Sequence, residues 1–188
     1  LSWNVSARIA PPIRLSSRQV TVGPQGQDGS RDPVFDAITP HGRYDMQEVL
    51  DRAGIQGPFD WIIVKTDAAC GNLPENLQAF HCPVILLPGA THIMEAPLRK
   101  MISYALEIDA LAVVENCTRH HLHWFRAAGV PNCAWLPALF IQRHPQPWRA
   151  IRDQRVVFVG QQGKLHWYRN ELLSRLDQGG VPVLRTMS

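Results

Sequence analysis

From Thr39 onward the chain alternates two hydrophobic patterns. Short runs that are almost wholly apolar, in DWIIVKT, CPVILLPG, ALAVVEN and NCAWLPALF, are separated by longer segments in which apolar residues recur every three or four places. A run that is apolar on both faces fits a strand buried on both sides, and the three-to-four spacing fits a helix with one buried stripe. TPHGRYDMQEVLDRAG sets Met46, Val49 and Leu50 at helical spacing and closes on Gly54. LPENLQAF reads as a short helix, EAPLRKMISYALEI sets Leu98, Met101, Ile102 and Leu106 on one face, and CTRHHLHWFRAAG closes on Gly129. The first third is broken by Pro11, Pro12, Pro24, Pro33 and Pro40; LSWNV and RQVTVG read as strands, with QGQDGSRDP as a loop.

Strands that are apolar on both faces and separated by helices need a parallel sheet covered on both sides. The expected fold is therefore α/β, a doubly wound, mostly parallel, Rossmann-like sheet over residues 1–140. HPQPWRAIRDQ is polar and proline-bearing, which makes residues 141–155 a linker. Beyond it, RVVFVG reads as a strand, QQGK as a loop, LHWYRNELLSRLDQGG as a helix with Leu165, Tyr168, Leu172 and Leu176 in register, and VPVLR as a strand. This βαβ unit, residues 156–188, is too small to bury both of its faces, so a domain partner or a second copy of the chain is expected against it.

Composition narrows the class. With 188 residues and 45% hydrophobic content the chain has room for one domain with a sizeable core and a fragment more. A net charge of +3, spread among acidic residues, is too weak to indicate nucleic acid, although it suits anionic ligands. No apolar stretch approaches the ~18 residues of a membrane span, and no signal-peptide pattern is present. Cys70, Cys82, Cys117 and Cys133 have neither CxxC nor CxxH spacing, which points to free buried thiols and a cytoplasmic location. Asn4-Val5-Ser6 and Asn116-Cys117-Thr118 match the glycosylation pattern, a coincidence in a chain read as cytoplasmic.

In open α/β sheets, ligands bind beyond the carboxyl ends of the strands. That rule selects the loops VGPQGQDG, KTDAACGN, LPGATHIME, ENCTRHH and LPALFIQRH. Two further segments, AAGVPNCAWLPALF and VVFVGQQGKLHWYRNELLSRL, together with PVILLPGATHIMEAPLRKMISYALEIDALAVVENCTRHHLHWFRAAG, carry a resemblance. The chain resembles the two-domain GT-B glycosyltransferases, and within them the spore-maturation-protein-like branch of bacterial sugar transferases, over most of its length from about residue 39. The resemblance implies that residues 1–140 hold the acceptor and that residues 156–188 open a donor domain whose nucleotide-binding remainder lies further on. It implies no cofactor beyond the nucleotide-sugar donor, and this chain alone is expected to be inactive. In such proteins the segment matching LPGATH carries an acidic residue where Ala90 stands, so Ala90 departs from the pattern.

His92 follows a strand end, where an imidazole with a pKa near ~6.5 suits proton transfer from a sugar hydroxyl. Asp67 holds the equivalent place one strand earlier; the competing readings are a backbone-bonded loop histidine and a helix-capping aspartate. Thr91, Glu95, Asn116 and His120 are the expected acceptor contacts, with Glu95 alternatively a first-turn acid. His120 and His123 are three apart but lack a matching ligand set and an HExxH, so no metal is expected. Gly160, Gln161, Gly163 and Lys164 form a glycine loop that faces the donor if the resemblance holds; GQQGK matches neither GxGxxG nor GxxxxGK[ST], and a plain turn is the alternative. Arg169 is a phosphate contact or simply exposed, and Trp124, Trp135, Trp148 and Trp167 pack in the core or between domains, or stack on sugars.

The functional expectation is the acceptor-binding part of an enzyme that moves a sugar from a nucleotide-sugar to an acceptor hydroxyl. The alternative is a non-catalytic binding module that keeps the fold, which the Ala90 departure favours. An unrelated doubly wound domain is a third reading, against which stands the lack of a GxSxG elbow.

Overall fold

The computed structural model describes residues 1–4, 12–24, 35–92, 96–137, 156–159 and 167–186. The elements run β1 (Ser2–Trp3), β2 (Val22–Pro24), β3 (Ala37–Thr39), β4 (Gly42–Asp45), α1 (Met46–Arg52), β5 (Ile62–Lys65), β6 (Asn72–Glu75), β7 (Val84–Leu87), α2 (Pro97–Glu107), β8 (Ala112–Glu115), α3 (Leu122–Ala127), β9 (Asn132–Trp135), β10 (Val156–Val159), α4 (Trp167–Gln178) and β11 (Val183–Thr186). Single 3₁₀ turns occupy Leu77–Phe80 and Arg119–His121. Two compact units emerge, Leu1–His144 and Pro145–Ser188.

In the first unit seven strands form one sheet in the order β3-β2-β1-β5-β7-β8-β9, and every pair is parallel. The order reverses between β1 and β5, so the loops after these strands part there and leave a crevice at the carboxyl edge, the arrangement of a Rossmann-like α/β fold. Alternate residues of the strands feed two apolar clusters. Val64, Leu86 and Val113 join Met46, Val49 and Leu50 of α1, Met101, Tyr104 and Ala105 of α2 and Leu122 and Phe125 of α3. Ile63, Ile85 and Val114 face the other way and pack with Trp3, Ile13, Phe35 and Leu87.

The sequence expectation for LPENLQAF is corrected. Leu73 and Pro74 lie in β6, which pairs in parallel with β4, and only Leu77–Phe80 turns helically, between left-handed Asn76 and His81 at φ of 58° and 51°. Pro74 has no N–H to give a helix and sits in a two-stranded ribbon, where a missing donor is tolerated. The RHHLH helix is also shorter than expected, a 3₁₀ turn followed by the six residues of α3.

The four α-helices among the described residues end alike. The N–H groups of Ile55, Ala110, Val130 and Val181 reach back to the carbonyls of Leu50, Ala105, Phe125 and Leu176. Each follows a residue of positive φ, Gly54, Asp109, Gly129 and Gly180, and each leads an apolar residue toward the next strand.

In the second unit β10 and β11 pair in parallel with α4 between them in sequence. The expected buried stripe is displaced: Leu173 is buried, whereas Tyr168 and Leu172 are exposed. A helix over two strands has a narrow contact face, so several stripes satisfy the spacing and only one meets the sheet. Leu165 and the 141–155 linker lie outside the described residues. No helix among the described residues is long and apolar enough to cross a membrane.

Candidate functional site

Strands β5 and β8 each end in a charged residue that the fold buries. Lys65 is 5% exposed and Glu115 fully buried, each at the end of a strand that is otherwise valine, isoleucine or alanine. A buried charge is costly unless it is bonded and paired. Lys65 Nζ donates to the carbonyl of Pro88 at 2.7 Å, which ties the strand to the loop after β7. Burial brings the ammonium pKa down to about 8, while Cys117, Glu115 and Asp67 pull it back up.

Glu115 gathers three segments. Its Oε2 accepts the backbone N–H groups of Cys117 and of Thr118, the latter at 3.0 Å, and so shapes the turn that leads into α3. Its Oε1 lies 3.2 Å from the Thr91 hydroxyl of the β7 loop. Thr91 Oγ1 in turn meets His121 Nδ1 at 2.7 Å. The second histidine of the site, His92, places Nδ1 3.1 Å from Thr118 Oγ1. Burial, with His120, His92 and His123 alongside, holds the His121 pKa below the ordinary imidazole value against the opposing pull of Glu115.

The β5 and β7 loops are pressed together. A Cβ on Gly89 would stand 2.4 Å from the Asp67 carbonyl carbon and 2.7 Å from Ala68 N, so only glycine allows this approach. Gly89 N–H then donates to Thr66 Oγ1 at 3.1 Å. At the crevice, Tyr44 donates to Asn4 Oδ1 and Asn4 Nδ2 to Ser2 Oγ, each at 2.8 Å, and Ser2 and Tyr44 hydroxyls close the ring at 2.9 Å. Burial pushes the Tyr44 phenol up to about 12, so the ring stays neutral.

Of the residues read from sequence, Thr91 and His92 enter this network directly. Asp67 borders it but spends Oδ1 on the Gly71 N–H at 3.1 Å, closing its own loop. Asn116 is half-buried beside Glu115, and His120 is exposed, its ring edge-on to His121 with centroids 4.4 Å apart. Glu95, Gly160, Gln161, Gly163, Lys164 and Trp148 lie outside the described residues. The core-packing expectation for three tryptophans is corrected: Trp124, Trp135 and Trp167 are 52%, 42% and 71% accessible, and Arg119 lies over Trp135 at 5.3 Å. The cysteines are free thiols but not fully buried; Cys117 is exposed and the other three are half-buried. Among the described residues no three His, Cys, Asp or Glu side chains form a group that would hold a metal.

Lys65, Glu115, Thr118 and His121 escape the motif reading. The signal for the first two was present: IIVK and AVVE are apolar runs whose last residue is charged, at the end of the strand where chemistry is expected. A cavity of about 650 Å³ lies elsewhere, at the amino ends of the strands among Leu15, Leu50, Phe59, Trp61, Ile63 and Phe80. Its lining is mostly apolar, with Ser2, Ser16, Arg18, Gln19 and Asp60 among it, and includes none of Lys65, Thr91, His92, Glu115, Thr118 and His121.

No family model, curated protein or solved structure matches this chain.

Proposed function

We propose that this chain is the acceptor-binding part of a bacterial, cytoplasmic GT-B glycosyltransferase, built as a doubly wound domain with the opening of a donor domain after it. The observation that carries the reading is the convergence of Thr91, His92, Glu115, Thr118 and His121 beyond the carboxyl ends of β7 and β8, where ligands of such sheets bind. Compatible with it, helices α1, α2 and α3 contribute to one apolar cluster, and Ile13 and Phe35 of the β1–β2 and β2–β3 connections belong to the other. In the whole enzyme, a base at this edge takes the proton of an acceptor hydroxyl, whose oxygen attacks the anomeric carbon of a nucleotide-sugar. The nucleoside diphosphate departs with the bonding pair.

The test is ligand titration of the isotope-labelled chain by NMR. Mono- and oligosaccharides are expected to shift amide signals of Gly89–His92 and Asn116–His121, whereas UDP-, GDP- and dTDP-sugars leave the spectrum and thermal midpoint nearly unchanged. A strong response to nucleotide-sugars with none to saccharides overturns the assignment. Ala90 favours the second reading, a non-catalytic module, because it supplies no carboxylate in the loop where the resembling proteins carry one. Saccharide binding without transfer by the whole protein would select it.

A further inference from the structure

We propose that His121 is the proton acceptor of this site and that Glu115, through Thr91, is the positioning residue that holds it in the accepting tautomer. The hydrogens available along Glu115, Thr91 and His121 fix the tautomer. An ionised carboxylate only accepts, and a threonine hydroxyl has one hydrogen to give. With Thr91 giving that hydrogen to Glu115 Oε1 at 3.2 Å, its oxygen offers only lone pairs to His121 Nδ1 at 2.7 Å. The hydrogen in that second bond therefore belongs to the ring. A neutral imidazole protonated at Nδ1 has its lone pair at Nε2, ready to take a proton.

The neighbourhood suits that role. Burial and the nearby His120, His92 and His123 keep the ring neutral, while Glu115 stands ready to stabilise the imidazolium once it forms. Neither of the bases suggested by the sequence is held in this way. His92 meets Thr118 Oγ1, but Glu115 bonds Thr118 through its backbone N–H, so these bonds leave both tautomers of His92 open. Asp67 has Oδ1 engaged with Gly71. In the reaction the acceptor O–H bond breaks and its proton passes to His121 Nε2. The acceptor oxygen bonds the anomeric carbon of the nucleotide-sugar, and the bond from that carbon to the diphosphate breaks. This assignment rests on the acceptor-binding reading; the state of His121 itself does not.

Nitrogen-15 NMR of the histidine rings in the full chain reads the state directly. Wild type is expected to show His121 neutral and protonated at Nδ1. In Glu115→Gln the amide oxygen keeps the Cys117 and Thr118 N–H groups, and the amide NH₂ donates to Thr91. The Thr91 hydrogen then turns to His121 Nδ1, and the ring switches to the Nε2-protonated tautomer. His121 protonated at Nε2 in wild type, or unchanged in Glu115→Gln, overturns the proposal. Should Glu115→Gln not fold, Thr91→Val and Thr91→Ser replace it: valine is expected to abolish the tautomer preference and serine to retain it, and equal behaviour of the two overturns the relay. Saccharides that leave the His121 ring signals unmoved, in a protein whose tautomer switches as described, would remove the acceptor reading and leave the relay standing.

Discussion

Gly89 shows how one residue fixes the geometry of the site. The atoms that a side chain would strike belong to the backbone of Asp67 and Ala68, which cannot rotate away as a flexible side chain can. Gly89→Ala is expected to cost about 3 kcal/mol, at the upper end of the overpacking range, read as a fall in the urea midpoint with an unchanged slope. The displaced loop carries Thr91 and His92, so the variant should also disturb the His121 ring signals. None of this is visible in LPGATH, where glycine beside proline reads as an ordinary turn. His92 was legible because it stands after an obvious strand; His121 was not, because its importance comes from Thr91, a residue 30 positions away.

At the scale of elements, the helices obey local rules closely. Asp45 caps α1 by accepting from the N–H groups of Gln47 at 2.8 Å and Glu48 at 3.2 Å, and it also receives Asn76 Nδ2 from the turn after β6. These bonds hold its carboxyl below the usual range, Asn76 first among them. Asp45→Ala is expected to lose about 1 kcal/mol, measured by urea denaturation at neutral pH. Because the folded pKa is depressed, this stability is present above the unfolded value and disappears as pH falls through the folded one, so the two proteins converge in acid. The ends at Gly54 and Gly129 were readable from sequence, since a left-handed terminus is a property of a few adjacent residues, whereas the starts were not, because β4 and a 3₁₀ turn occupy the beginnings of the segments read as helix. Asp109 ends α2 in the same left-handed conformation at φ 49° without being glycine, which shows that the terminus follows the strand to come as well as the residue in place. The β4–β6 ribbon was not readable. Its partners are 30 residues apart, and Gly42-Arg43-Tyr44-Asp45 has no apolar run to announce a strand.

For the whole molecule, the buried Lys65 links the site to global stability. Its folded pKa of about 8 lies below the ordinary 10.5, so between these values the unfolded chain binds more protons and stability rises with pH. Below pH 8 both states are protonated and the cost of the buried ammonium is constant. The full gain is about 3 kcal/mol at most. Wild type should gain on Lys65→Met in urea midpoint from pH 8 toward pH 10, and parallel profiles would show that Lys65 is not the source. The sequence by itself determined that this is a parallel α/β chain and where α1, α2, α3 and α4 fall approximately, because runs buried on both faces and stripes buried on one are periodic, local consequences of burial. Strand order, the crevice between β1 and β5, and the meeting of Glu115 with Thr91 and His121 were decided only by the tertiary structure. Those contacts join residues 24 and 30 positions apart, and no local pattern records which strand ends packing will bring together.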